Sequence, residues 1–452
     1  MESYMERDRL DFGNGKIKSL FAAMFFPTLI GMVFNSVLNI CDGMFVGHGV
    51  GSNALAAINI VAPLFLLCTG IGLMFGIGAS VIGSIRLAEG NVKAAKIIMT
   101  QAYIAGAIIF CTVIVISLLF TRPVLYALGC SPALEQHATD YLLWLCPGLV
   151  FFYLQCAGMM LIRLDGSPKY AMSVQIVAAV LNIFLDWLMV FPLDMGIKGA
   201  SIATSISCIV AGVMVLAYFI FFSDKLKFYR LKLSAKSLRL SLRNTAYMMK
   251  IGLATFIAEL AIGIMMVTGN YMFLSYLGEA GVAAFSIGCY LFPLIFSISN
   301  AVAQSSQPII SYNYGAGYHD RVRQALKIAL VTSCVCGIVI SGGMWAGAAP
   351  LTSIFLSQAE PAWALAVYGL PILGICAMFF APNITFIGYY QSREQAGLSI
   401  FYMLLRGVIF MVPGFIFLPR FIGAAGLWLA IPVSELLTLA VIALVYLLRR
   451  KF

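Results

Sequence analysis

Charge is what this sequence has least of. Only 10% of its 452 residues are Asp, Glu, Lys or Arg, against about 25% in an average soluble domain. With 62% hydrophobic residues and a mean hydropathy of +0.98, there is too little polar surface to clothe a water-soluble globule of this length. Histidine is nearly missing, and His48, His137 and His319 are too scattered for a metal constellation. The eleven cysteines contain no C-x-x-C pair, so neither a disulfide framework nor a metal cluster is indicated. H-E-x-x-H, G-x-S-x-G and a P-loop are all absent, which leaves no signature of a metalloprotease, a serine hydrolase or an ATP-driven pump. No enzyme and no cofactor is expected. The first sixteen residues are polar and do not read as a cleavable leader.

What is present is a succession of apolar segments, each long enough to cross a bilayer as a helix. Twelve are expected, near residues 17–41, 54–82, 97–120, 138–161, 170–191, 200–222, 248–270, 282–310, 325–348, 362–388, 397–418 and 424–448. The alternate breaks between them collect the bases: 24 of the 28 Lys and Arg fall on one side, Arg122, Lys198 and Arg420 on the other, and Arg406 inside a span. Short basic loops mark the cytoplasmic side. Both termini and the loop around 224–250 are therefore expected in the cytoplasm, with the chain in the cytoplasmic (inner) membrane. The net charge of +10 then reads as a topology signal facing anionic lipid rather than as a nucleic-acid stripe.

The chain also resembles itself. At an offset of 227 residues, HGVGSNALAAI at 48–58 lies over YLGEAGVAAF at 276–285, and Gly90, Pro192, Gly196, Gly199 and Ala203 fall on Gly317, Pro419, Gly423, Gly426 and Ala430. Two six-span halves follow, 1–223 and 248–452, joined by a connecting loop at 224–247. Because six is even, the repeats are parallel, a design suited to a transporter that exposes one site to two sides in turn. No filter-like loop, ring of like charges or voltage-sensor arginine helix supports a channel.

Ionisable residues inside spans are costly and mark function by default. Asn182 and Asp186, in LNIFLDWLMV, are four apart and share a helix face. Asp186 lies six residues before Pro192 and Thr204 six after Lys198, so both sit about 9 Å from the same end of their spans. Asp42 closes the first span on that side and reaches them only if its helix is tilted or long. Asp42, Asn182, Asp186 and Thr204 form a hard-oxygen set for cation coupling, fitting Na⁺ as metal or, with paired carboxylates, H⁺. At the repeat offset Asp42 meets Gly269, Asn182 meets Ile409 and Asp186 meets Pro413, so this site belongs to the first half alone. Glu259 and Glu435 are further candidates for substrate binding or coupling, with pairing of one of them to Arg406 as the structural alternative. Asn35, Asn39, Gln155, Tyr153 and Met266 complete the set of candidates for contact with cargo.

These stretches resemble the multidrug and toxic compound extrusion family, in its prokaryotic, DinF-like branch. The likeness runs over the whole chain, through FPTLIGMVFNSVLNICDGMFVGHGVGSNALAAINI, LNIFLDWLMVF, MGIKGASIATSIS, YLGEAGVAAFSIGCYLFP and QPIISYNYGAG. The resemblance implies an all-α polytopic protein of twelve transmembrane helices in two pseudo-symmetric lobes. It implies secondary active efflux of small organic, often cationic, compounds in exchange for Na⁺ or H⁺, by a monomer surrounded by membrane lipids. A flippase for a lipid or lipid-linked intermediate is the alternative within the same superfamily. The cation site of the DinF-like pattern falls on Asp42, Asn182, Asp186 and Thr204, and an acidic residue used by another branch falls on Glu259. No acid stands in span 10 around APNITFIGYY, where that branch has one.

Overall fold

The computed structural model describes residues 10–450, except 51, 129, 133 and 233; side chains at 39, 40, 43, 47, 48, 52, 53, 55, 56, 449 and 450 also lie outside the description. His48 and the side chain of Asn39 fall among these. The described residues form helices without a strand. In hydrocarbon every backbone N–H and C=O has to be satisfied within the segment, and an isolated apolar run achieves this only as a helix.

In chain order the helices are α1 (Ile17–Gly49), α2 (Ser52–Ala88), α3 (Val92–Leu119), α4 (Thr121–Ala127), α5 (Glu135–Leu164), α6 (Pro168–Val190), α7 (Gly196–Ala217), α8 (Ala235–Gly315), α9 (His319–Ala346), α10 (Ala348–Ser353), α11 (Pro361–Gly374), α12 (Cys376–Ser392), α13 (Ala396–Leu404), α14 (Met411–Ile422) and α15 (Ala424–Arg450). Short π-helical turns, Tyr218–Phe222 and Leu405–Ile409, continue α7 and join α13 to α14. Among the described residues, eleven helical stretches are long and apolar enough to cross a membrane. One of them, α8, has 81 residues, about 120 Å at the helical rise, and breaks at Gly278 with φ 66° and ψ −160°. Only glycine visits that conformation readily, and the break divides α8 into the seventh and eighth of the expected twelve spans. Phe421, Trp345, Val267 and Ile108 are exposed on helix flanks, the outward apolar surface that lipid covers.

The chain forms two compact units. The first holds Met1–Glu259 with Ser311–His319, the second Leu260–Ile310 with Asp320–Phe452. In the first, α5 packs on α2 and α7, and α6 on α1 and α7. Small residues let backbones approach. A Cβ on Gly76 would lie 2.9 Å from Ala157 Cα on α5, one on Gly78 2.2 Å from the Met248 carbonyl oxygen on α8, and one on Gly252 1.9 Å from the Met74 carbonyl oxygen on α2.

The connecting loop packs with the first unit. Asp165 accepts hydrogen bonds from Tyr218 Oη (2.8 Å), Ser223 Oγ (2.9 Å) and the backbone N–H groups of Asp224, Lys225 and Leu226 (3.1, 3.1 and 3.0 Å). Phe228 packs edgewise on Tyr103 and Phe219, and Tyr229 N–H donates to Thr100 Oγ1 at 2.9 Å. In the second unit α15 packs on α11, α12 and α14.

Candidate functional site

Close approach of α1 to α6 decides where Asp42 stands. Both helices point the same way, and they touch at two glycines: Gly31 backs onto Gln175 and Gly49 onto Val190 and Phe191. Asp42 lies between these contacts, at the height of Asp186. Helix α1 extends seven residues past Asp42, so this aspartate lies within a long helix and not at its end. The turn after α6, with Asp194 at φ 47° and Gly196 at φ 56°, reverses the chain and brings Thr204 of α7 back to the same level.

The four residues singled out from the sequence therefore meet. Asp186 is 0% exposed and Asn182 2%. The carboxyl groups of Asp42 and Asp186 lie within hydrogen-bonding reach of each other. With its amide turned so that nitrogen faces an acceptor and oxygen a donor, Asn182 donates to Asp186 Oδ2 and accepts from the Thr204 N–H, each at 3.2 Å. That orientation is assigned from the surrounding hydrogen-bond pattern. Thr204 Oγ1 also donates to the Ala200 carbonyl of its own helix at 3.1 Å. Oδ1 of Asp42 and Oδ1 of Asp186 are both buried without a hydrogen-bond partner. Such acceptors are expensive to bury unless a proton or cation comes to them. Two carboxylates, an amide and a hydroxyl offer hard oxygen donors of the kind that suit Na⁺, and the same pair can share a proton.

Tyr141 of α5, buried at 7% exposure, lies within electrostatic reach of both carboxylates. In the sequence it is one of twenty tyrosines. Its place near the start of the fourth span, at the level of Asp42 and Asp186, was the available signal.

The remaining candidates are spread. Glu259 is buried in the first unit, its Cβ beside Gly70 of α2 and its carboxyl within electrostatic reach of Cys156. Tyr153 is fully buried, and its hydroxyl donates to the Ala102 carbonyl at 2.7 Å, a packing role. Gln155 is half-buried, whereas Asn35 and Met266 are exposed. Of the two glutamates considered as partners for Arg406, the structure pairs Glu435, with Nη2 to Oε1 at 2.6 Å.

Paired repeats of membrane-crossing helices with a buried carboxylate pair in one half define the chain as a polytopic membrane transporter. It belongs to the MatE family, whose model matches residues 27–188 and 253–416. The two matched stretches begin and end within a residue of the 227-residue offset seen in the sequence. The chain is 24% identical over 426 residues to the multidrug export protein MepA of Staphylococcus saprophyticus, covering 94% of this chain and 92% of the relative. It is 26% identical over 442 residues to an FAD transporter of Shewanella oneidensis, covering 95% and 94%. Among solved structures it superposes on a MOP superfamily transporter from Pyrococcus furiosus with a TM-score of 0.89, at 19% identity and 98% coverage of both chains. An outward-facing multidrug resistance MATE family transporter gives the same TM-score, at 19% identity and 97% coverage of both.

Proposed function

We propose that the protein is a secondary active antiporter of the cytoplasmic membrane, with both termini in the cytoplasm, that exports small organic compounds, cations among them, in exchange for Na⁺ or H⁺. The observation that carries this reading is the convergence of Asp42, Asn182, Asp186 and Thr204 on one buried constellation with two unpartnered carboxylate oxygens. Loading a cation or proton there neutralises charge that is otherwise costly to bury. Occupancy therefore changes the relative stability of the arrangements open to either side, which is what couples a downhill ion to an uphill cargo. The names of the MepA relatives, multidrug export proteins, support the cargo class.

A lipid-linked pyrophosphate, or an anionic dinucleotide such as the cargo in the FAD transporter's name, calls for free basic residues along its path. Arg406, the base deepest in a span, is neutralised by Glu435, which favours neutral and cationic cargo. The test is transport in sealed proteoliposomes with Na⁺ and pH gradients imposed separately, using ethidium and FAD in parallel. Ethidium movement driven by one of the two gradients supports the reading. Movement of FAD alone, or ethidium flux that ignores both gradients, overturns it.

A further inference from the structure

The second half has no counterpart of Asp186, since Pro413 stands at the repeat-related position. It nevertheless buries an ionisable constellation on the fourth, fifth and sixth of its own six spans, of which the fifth and sixth match those that carry Asn182, Asp186 and Thr204. Asn383 of α12, Arg406 of the π-helical turn and Glu435 of α15 are 0%, 6% and 2% exposed. Arg406 Nε reaches Glu435 Oε1 and Oε2 at 3.0 and 3.2 Å, and Nη2 reaches Oε1 at 2.6 Å. The Phe380 ring lies under the guanidinium, 4.1 Å from its carbon to the ring centroid, and Met403 Sδ accepts from Nη1 at 3.5 Å. Ser434 Oγ donates to the Arg406 carbonyl at 2.8 Å, satisfying a backbone oxygen at the π-turn.

Asn383 shows that this is more than a clasp between two charges. Its amide nitrogen donates to Glu435 Oε2 and to the Glu435 carbonyl, both at 2.8 Å. That fixes the amide's orientation and leaves Oδ1 buried without a hydrogen-bond partner. The constellation thus holds an oxygen acceptor that the guanidinium does not use. By the 227-residue offset, Asn383 and Glu435 correspond to Cys156 and Cys208, which lie within electrostatic reach of each other in the first unit. Glu435 sits one helical turn past Ile431, the residue at the offset from Thr204.

We infer that the Arg406 guanidinium is a tethered cation, occupying a cation site built by Glu435 and Asn383, so that the second half stays permanently loaded. Arginine is not deprotonated in proteins and is covalently attached, so it can neither lose its charge nor leave. Its planar fork meets both carboxylate oxygens, and the aromatic face beneath it compensates for lost water. Confinement of ion exchange to the first half rests on the antiport reading above. The existence of a cation site under Arg406 does not.

The test uses full-length protein in detergent with Asp186→Asn as the background, so that a response at the first-half constellation does not intervene. Thermal unfolding is followed while NaCl or guanidinium chloride replaces choline chloride at constant ionic strength in the millimolar range. Asp186→Asn alone should not respond. Adding Arg406→Ala should lower the midpoint in choline, and Na⁺ or guanidinium should restore it along a saturating curve. Further adding Glu435→Gln, which removes both charges, should abolish that response. The inference is overturned if folded Arg406→Ala ignores both cations, or if the Glu435→Gln variant responds equally. It is also overturned if Arg406→Ala cannot be recovered folded in guanidinium while the charge-free variant purifies normally.

Discussion

Asp42 of α1 and Asp186 of α6 face each other within hydrogen-bonding reach, and each keeps one carboxylate oxygen buried without a partner. Two acids forced together in a low-dielectric interior resist joint ionisation, and on the proposed function their shared charge is what a proton or cation controls.

Replacing Asp186 by Asn keeps size and shape and removes the charge. The variant should insert and fold, because a neutral amide is cheaper to bury than a carboxylate. Gradient-driven ethidium movement in proteoliposomes should fall by about tenfold or more, the equivalent of losing one charged ion contact. Asp42→Asn should act in the same way. Uphill transport by Asp186→Asn at the parental rate and with parental ion dependence would remove Asp186 from the coupling machinery.

On the antiport proposal Asn182 and Thr204 supply neutral oxygens to the driving ion, so their loss should weaken its binding without abolishing coupling. For Asn182→Ala and Thr204→Ala, the ion concentration giving half-maximal transport should rise roughly tenfold, the scale of one hydrogen bond to a charged group. The maximal rate should change little. An unchanged half-maximal concentration in both variants would limit these residues to helix packing.

Five donors converge on Asp165 and hold residues 218–226 against the first unit. In Asp165→Ala these donors lose their shared acceptor, and the strap should open locally more often. Limited trypsin digestion should cut after Lys225 and Lys227 at least about tenfold faster than in the parent, in line with the loss of charge-assisted hydrogen bonds. Equal digestion rates would show that the aromatic contacts of Phe228 hold the segment by themselves.

Alanine normally favours a helix over glycine, yet Gly252→Ala should destabilise this protein. The added Cβ would lie 1.9 Å from the Met74 carbonyl oxygen, and separating α2 from α8 to admit it should cost about 1–3 kcal/mol. Chemical denaturation in detergent reads the difference. A gain in stability would mean that the two helices part more easily than their backbone contact indicates.

The proposed orientation predicts labelling from one side only. In a cysteine-free background, Gln358→Cys, on an exposed turn before α11, should react with an impermeant maleimide in intact cells. Lys236→Cys, at the exposed start of α8, should react only after lysis. The reverse pattern would invert the positive-inside assignment.

Much of this architecture was legible in the linear sequence because its signals are local. A span is a continuous apolar run, the basic loops lie next to it, and the repeat survives as one offset through the chain. The pairing of Asn182 with Asp186 follows from four-residue spacing alone, and the gap expected between the spans 248–270 and 282–310 holds Gly278, where α8 breaks. The meeting of Asp42 with Asp186 could not be read that way. Residue counting put Asp42 at the end of its span, and only the length of α1 and its glycine contacts at Gly31 and Gly49 bring it level. Likewise the sequence offered Arg406 two carboxylates, Glu259 and Glu435. Helix packing chose between them, because α15 carries Glu435 onto the guanidinium while Glu259 is buried beside Gly70 in the other unit. Spacing along a helix determines which side chains share a face, but which faces meet depends on how closely the backbones can approach, and that is a property of the tertiary structure.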